Sequence, residues 1–255
     1  MRASPALLLV RPRPQSERFA RAARARLGAD LAIVIAPLME LRPLALTVDA
    51  RKFAGLIFTS ENGVAAFAGQ CALRARPVWC VGSRTAAAAR AAGFRNLRSA
   101  AATGGDAEAL IARILKDAPK GPLLHLRGTH ARVDIAARLS AQGLPCEAAV
   151  VYDQISQPLG AEALRLLEAP APVLLPLFSP RSARLMAEAI NGHAVRAALH
   201  IVAISPAAAA PWYDSGRDAG AGLPAMRAEA MHVAPRPDAR AVLDLLEGIV
   251  TSLAP

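Results

Sequence analysis

The chain has 255 residues, 54% of them hydrophobic, and carries a formal charge of +10, which excludes disorder and provides for one large or two small packed domains. Aromatic residues make up only 4%, too few for the base-stacking platforms of a nucleic-acid binder, so the positive charge points to a small polyanion. No run reaches the about 18 apolar residues of a membrane span, Met1–Val10 lacks the features of a signal peptide, and Cys71, Cys80 and Cys146 form no CxxC pair, so a soluble cytoplasmic protein is expected.

Short β-rich runs alternate with helical stretches rich in alanine, leucine and arginine. In chain order the predicted strands are Ala6–Val10, Leu31–Ala36, Gly55–Thr59, Val78–Val81, Pro122–Arg127, Glu147–Tyr152, Val173–Phe178 and His200–Ile204. Amphipathic helices lie between them, among them Ser16–Leu27, Ala107–Lys116 and Ala131–Gln142. Continuous apolar strands separated by helices indicate parallel sheets covered on both faces, so the fold class is α/β.

The segments come round twice. Leu8-Leu9-Val10-Arg11-Pro12, a helix and Gly28 are echoed by Leu124-His125-Leu126-Arg127-Gly128, a helix and Gly143. Ile57-Phe58-Thr59-Ser60 is echoed by Leu177-Phe178-Ser179-Pro180, and Val81-Gly82-Ser83 with its helix to Gly93 by Ile204-Ser205-Pro206 with its helix to Gly216. Asp106 and Asp238 each open a helix as N-cap. Four blocks in the same order imply two similar α/β units. Each block is a strand, then a small polar or glycine residue, then a helix. That form presents backbone N–H groups and a favourable helix dipole to an anion at the carboxyl edge of the sheet. Taken singly, Ser60, Ser179 and Asp106 read better as ordinary caps; the set carries more weight than its members.

Several chemistries are missing from the sequence. It holds no GxGxxG, no GxxxxGK[ST], no HExxH and no GxSxG, and His125, His130, His193, His200 and His232 are scattered. Tyr152 ends an apolar strand between the two units; it serves either as packing with its hydroxyl at the water edge or as a proton donor. Arg11 and Arg127 end matching strands, where a guanidinium fork suits either a structural ion pair or a bound carboxylate.

Leu9-Val10-Arg11-Pro12, Leu56 to Val64 with Phe67, Val78 to Ala86 ending at Gly93-Phe94, Gly105-Asp106, Leu124 to Gly128, Val151-Tyr152 and Phe178 to Ala183 together resemble the uroporphyrinogen-III synthase family over essentially the whole chain. The resemblance implies two doubly wound, flavodoxin- or Rossmann-like parallel-sheet domains joined by a two-stranded linker, with a cleft between them. It places residues 1–36 and 156–255 in the first domain and 37–155 in the second, whereas the repeat alone equally allows a sequential split near Pro119–Gly121. The implied reaction closes hydroxymethylbilane to uroporphyrinogen III, with loss of water and inversion of ring D, and it needs no metal or organic cofactor. A monomer acting on a polycarboxylate tetrapyrrole, in transient contact with the preceding pathway enzyme and without nucleic acid or membrane, is the expectation. By position Tyr152 would be catalytic, and Arg11, Thr59, Ser60, Asn62, Thr85, Arg127, Ser179, Ser182 and Ser205 would bind substrate. The chain departs from the family at Ala207 and Ala208, where many relatives carry threonines, so that corner is left with Ser205 and backbone amides. A two-lobed binding module for a small anion, without catalysis, is the alternative.

Overall fold

A computed structural model of the chain describes residues 4–131, 133–215 and 228–253. In chain order they form β1 (Ala6–Leu9), α1 (Arg13–Leu27), β2 (Ala32–Ile35) and β3 (Met39–Pro43). Next come β4 (Gly55–Phe58), α2 (Glu61–Ala68), β5 (Val78–Cys80), α3 (Ser83–Ala91), β6 (Leu97–Ser99) and α4 (Ala107–Asp117). They are followed by β7 (Leu123–Gly128), α5 (Ile135–Ser140) and β8 (Cys146–Ser156). The last part holds α6 (Ala161–Glu168), β9 (Pro172–Leu177), α7 (Pro180–Ile190), β10 (Ala198–Ala203), α8 (Pro206–Ser215), β11 (Ala228–Val233) and α9 (Ala239–Leu253).

The chain divides into two compact units, one running to Glu40 and resuming at Ser156, the other spanning Leu41–Ile155. The first crossing falls inside β3 rather than at Ala36, because Leu38 is fully buried in the first unit's core. The first unit has a five-stranded sheet in the order β11-β10-β9-β1-β2. The second has six strands in the order β3-β8-β7-β4-β5-β6. Every pair from β4 to β8 is parallel, as are all pairs of the first sheet. Leaving aside β3, the two layouts match place for place, with β1 and β2 standing where β7 and β8 stand.

Strand alternation divides each core into two layers. In β4, Leu56 and Phe58 face Val64, Phe67 and Phe94. Ile57 points the other way, to Trp79, Leu110 and Ile114. The ring of Phe58 meets those of Phe67 and Phe94 at centroid distances of 5.9 and 5.7 Å. In the first unit Leu8, Leu175, Met186 and Trp212 form one layer, and Leu7, Leu9, Phe19 and Leu246 the other. Each such fully buried side chain contributes roughly 1.5–3 kcal/mol.

Three strands differ from the expectation by existing at all. β3 carries Glu40 and Arg42 and is mostly exposed, β6 is a three-residue edge, and β11 closes the first sheet. None has the apolar run that marks a buried strand. The helix expected at Ala131–Gln142 shortens to α5, because Asp134 accepts from the Ala137 amide at 3.0 Å and so starts it. β8 runs past Tyr152 to Ser156, since it continues as the partner of β3. Gly216, the expected end of the repeat's third block, lies outside the described residues.

Candidate active site

The direction of chain winding reverses between β4 and β7 in the second unit, and between β9 and β1 in the first. In open α/β sheets the carboxyl ends of the strands at such a switch form the natural ligand crevice. β4 ends into Thr59 and Ser60, and Ser60 Oγ caps α2 by accepting from the Gly63 amide at 3.0 Å. β7 ends at Gly128. Beside it, β8 carries Tyr152, paired in register with Gly128.

A register shift lies at this point, between Arg127 and Gly128: Arg127 pairs with Val150, but the next residue pairs with Tyr152. The extra residue, Val151, is a bulge that breaks the alternation of β8. Ala149 and Val151 are buried in the layer around Phe58, and Tyr152 packs against that same layer instead of facing away from it. Its hydroxyl oxygen comes to 3.0 Å from Ser60 Oγ. Tyr152 is half-buried, so packing and a polar contact coexist in one side chain.

Below this pair sits His125, 1% exposed, with Nε2 3.4 Å from Thr59 Oγ1. Its Nδ1 has no hydrogen-bond partner. Burial, reinforced by the Arg127 charge and opposed by Asp134, lowers its pKa to about 4. The ring is therefore neutral at physiological pH and cannot supply charge to the site. Burial likewise pushes the Cys80 and Cys146 thiols up to about 12, so neither offers a thiolate nucleophile. Among the described residues no group of His, Cys, Asp and Glu could hold a metal ion, and no helix is long and apolar enough to cross a membrane.

The remaining residues singled out from the sequence fall into two sets. Arg127 donates to the Gly128 and Thr129 carbonyl oxygens at 3.0 and 3.3 Å, which ties it to the same strand end. Asn62 lies in the first turn of α2. Thr85 is 5% exposed, so a ligand at the start of α3 would meet backbone amides before its hydroxyl. In the first unit the Arg11 guanidinium lies 4.1 Å from the centroid of the Phe178 ring. Ser179 caps α7 by accepting from the Ser182 amide at 3.1 Å. Ser182, 1% exposed, donates to the Ser179 carbonyl at 2.9 Å. Ser205 Oγ accepts from the Ala208 amide at 3.3 Å; Ala208 is fully buried, so a side chain there would face the core, whereas Ala207 is exposed.

Two features of the site went unread in the sequence. Gly128 shows no turn signal, yet Tyr152 lies against it. Glu61 and Arg84 join the starts of α2 and α3 through a 2.7 Å ion pair; only the adjacency of β4 and β5 brings them together.

Each unit is thus a doubly wound α/β layer whose carboxyl edge, at the switch point, gathers hydroxyls, arginines and helix starts. A family model described as uroporphyrinogen-III synthase HemD matches residues 19–218. The chain belongs to the uroporphyrinogen-III synthase family, whose members act in tetrapyrrole synthesis. Among solved structures it is similar to uroporphyrinogen-III synthetase from Helicobacter pylori, at 17% identity and a TM-score of 0.65, over 96% of this chain and 99% of that one. A mutant uroporphyrinogen III synthase from the extremely thermophilic bacterium Thermus thermophilus matches at 14% identity and a TM-score of 0.49, over 98% of this chain and 99% of that one. No curated protein matches the chain. None of these findings supports the non-catalytic binding module.

Proposed function

We propose that the chain is a hydro-lyase that closes hydroxymethylbilane to uroporphyrinogen III, releasing water and inverting ring D. One observation carries the reading: in a chain of this family, the Tyr152 hydroxyl is held 3.0 Å from Ser60 Oγ at the switch point of the second unit's sheet.

The Gly63 amide already occupies one lone pair of Ser60 Oγ. Ser60 keeps its own proton, and when it donates that proton to the Tyr152 oxygen the phenol proton is free for the substrate. Tyr152 gives that proton to the departing hydroxyl; the C–O bond breaks, water leaves, and the pyrrole becomes an electrophilic azafulvene. Ring D attacks through its substituted carbon to form a spiro intermediate; the original bond from that carbon to the ring C bridge then breaks, leaving an azafulvene on ring C that the free α-carbon of ring D attacks. The proton lost when the inverted ring closes the macrocycle restores the phenol. The protein's main contribution is orientation, because the linear substrate closes by itself to the uninverted isomer.

The acetate and propionate groups of the substrate suit the basic chain. In this reading Arg11 and Arg127, with Thr59, Asn62 and Ser179, meet those carboxylates. The Thr85, Ser182 and Ser205 segments contribute mainly through the amides of their helix starts. The protein acts as a cytoplasmic monomer and needs no cofactor.

Freshly prepared hydroxymethylbilane is the test substrate, with the products oxidised and the uroporphyrin isomers separated by chromatography. A dominant type III isomer is expected. Type I alone, formed at the rate of the protein-free blank by folded protein, would rule the reading out.

A further inference from the structure

Tyr152 stands on β8, Ser60 follows β4, and β7 runs between those two strands. For the phenol to reach Ser60 at 3.0 Å, its ring has to pass over the end of the intervening strand. The residue it passes over is Gly128. A Cβ built there would fall 2.5 Å from Tyr152 Cζ, 2.7 Å from Cε2 and 2.9 Å from the hydroxyl oxygen. Atoms do not pack at such separations, so any side chain would displace the ring.

Gly128 is not among the glycines with positive φ. Its backbone conformation would suit any residue, and the demand for glycine comes from the tyrosine ring alone. The bulge at Val151 is the second half of the arrangement, because it turns Tyr152 onto the layer from which the ring can cross.

We infer that Gly128 is a positioning residue for the reaction: its missing side chain is the gap through which Tyr152 crosses β7 to place its hydroxyl against Ser60. The inference rests on Tyr152 acting as the proton donor.

The test is a double-mutant cycle of Gly128→Ala and Tyr152→Phe, read by turnover, KM and isomer composition. Gly128→Ala is expected to lower kcat about ten-fold or more while KM stays within about two-fold. Because the loss acts through the phenol, Gly128→Ala combined with Tyr152→Phe is expected to be no slower than Tyr152→Phe alone. A second readout follows position rather than activity. The chain has two tyrosines, so incorporation of 3-fluorotyrosine yields two ¹⁹F resonances. Gly128→Ala should move that of Tyr152 and leave that of Tyr213.

Unchanged turnover with an unmoved resonance in Gly128→Ala, or losses that multiply in the double variant, would overturn the inference. Full turnover and type III purity in Tyr152→Phe would remove the proton-donor reading and the catalytic claim for Gly128 together; a moved resonance would then show that the packing contact alone survives. If Gly128→Ala melts too readily to assay, the same change in a Tyr152→Ala background decides the matter. Disappearance of the destabilisation there supports the contact, and its persistence refutes it.

Discussion

Ser60 Oγ accepts the Gly63 amide and meets the Tyr152 hydroxyl, both at 3.0 Å, so the cap of α2 and the phenol share one oxygen. Tyr152→Phe keeps the ring that fills the space beside Gly128 and removes the hydroxyl, with its proton and its contact to Ser60. Its kcat is expected to fall by about 10²–10⁴, the range of a positioned general acid, with KM little changed; steady-state kinetics on hydroxymethylbilane checks this. His125 acts on stability instead. Its folded-state pKa of about 4 lies below the ordinary 6.5, so as the pH falls through 6.5 the unfolded chain takes up a proton that the folded chain refuses. Stability from this group is complete above pH 6.5, is lost between about 6.5 and about 4, and changes no further below, a total of about 3 kcal/mol. Urea midpoints measured across that window should fall in the native protein, and His125→Leu should remove this part of the slope. Among single residues, Tyr152 stood out in the sequence because it is an isolated tyrosine directly after the apolar run Ala148–Val151. Gly128 was not, because what requires glycine there is a side chain on the neighbouring strand.

Helix starts were the most readable elements. Asp106 and Asp238, each read from the sequence as an N-cap, accept from the amides of Ala109 and Ala241, both at 2.8 Å, and an N-cap is a local rule that needs nothing beyond its own turn. Helix ends are less readable when a distant residue closes them. Arg74 donates to the Ala68 carbonyl at the end of α2 (2.9 Å) and to the Ala92 carbonyl at the end of α3 (2.7 Å). It also donates to the Cys71 carbonyl, and its guanidinium lies 4.8 Å from the Phe94 ring centroid. One cation thus serves two helix C-termini, where positive charge is favoured. Arg74→Met is expected to cost about 2 kcal/mol or more, seen as a lower melting temperature, with activity retained below it. Arg74→Lys should recover little, since an ammonium cannot spread over the same carbonyls. The bulge in β8 is also a property of paired elements. Nothing in Ala149-Val150-Val151-Tyr152 distinguishes a regular strand from a bulged one; pairing with β7 decides it.

Across the whole molecule, the charge of +10 and a polycarboxylate substrate predict an encounter governed by electrostatics. KM is expected to rise several-fold from low to high salt while kcat holds nearly steady, because screening weakens capture more than it weakens close contacts; initial rates over a salt series check this. The repeat shows how far local patterns reach. Its blocks occur in one order along the chain, but β1 serves the sheet completed by β9 and β10, while its echo β7 serves the sheet begun by β4 and β5. The chain enters equivalent layouts at different points, so the repeat is permuted in space. Local patterns suffice for the α/β class, the buried strands, the capped helices and the twofold recurrence of strand, small polar residue and helix, because hydrophobic period and capping act over a few neighbouring residues. Folding in three dimensions settles which copy of each block joins which sheet, that β3 and β6 exist, and that Tyr152 crosses β7 over Gly128 to Ser60. Those outcomes depend on strands far apart in the chain lying side by side, where packing between side chains, rather than any local preference, selects the arrangement.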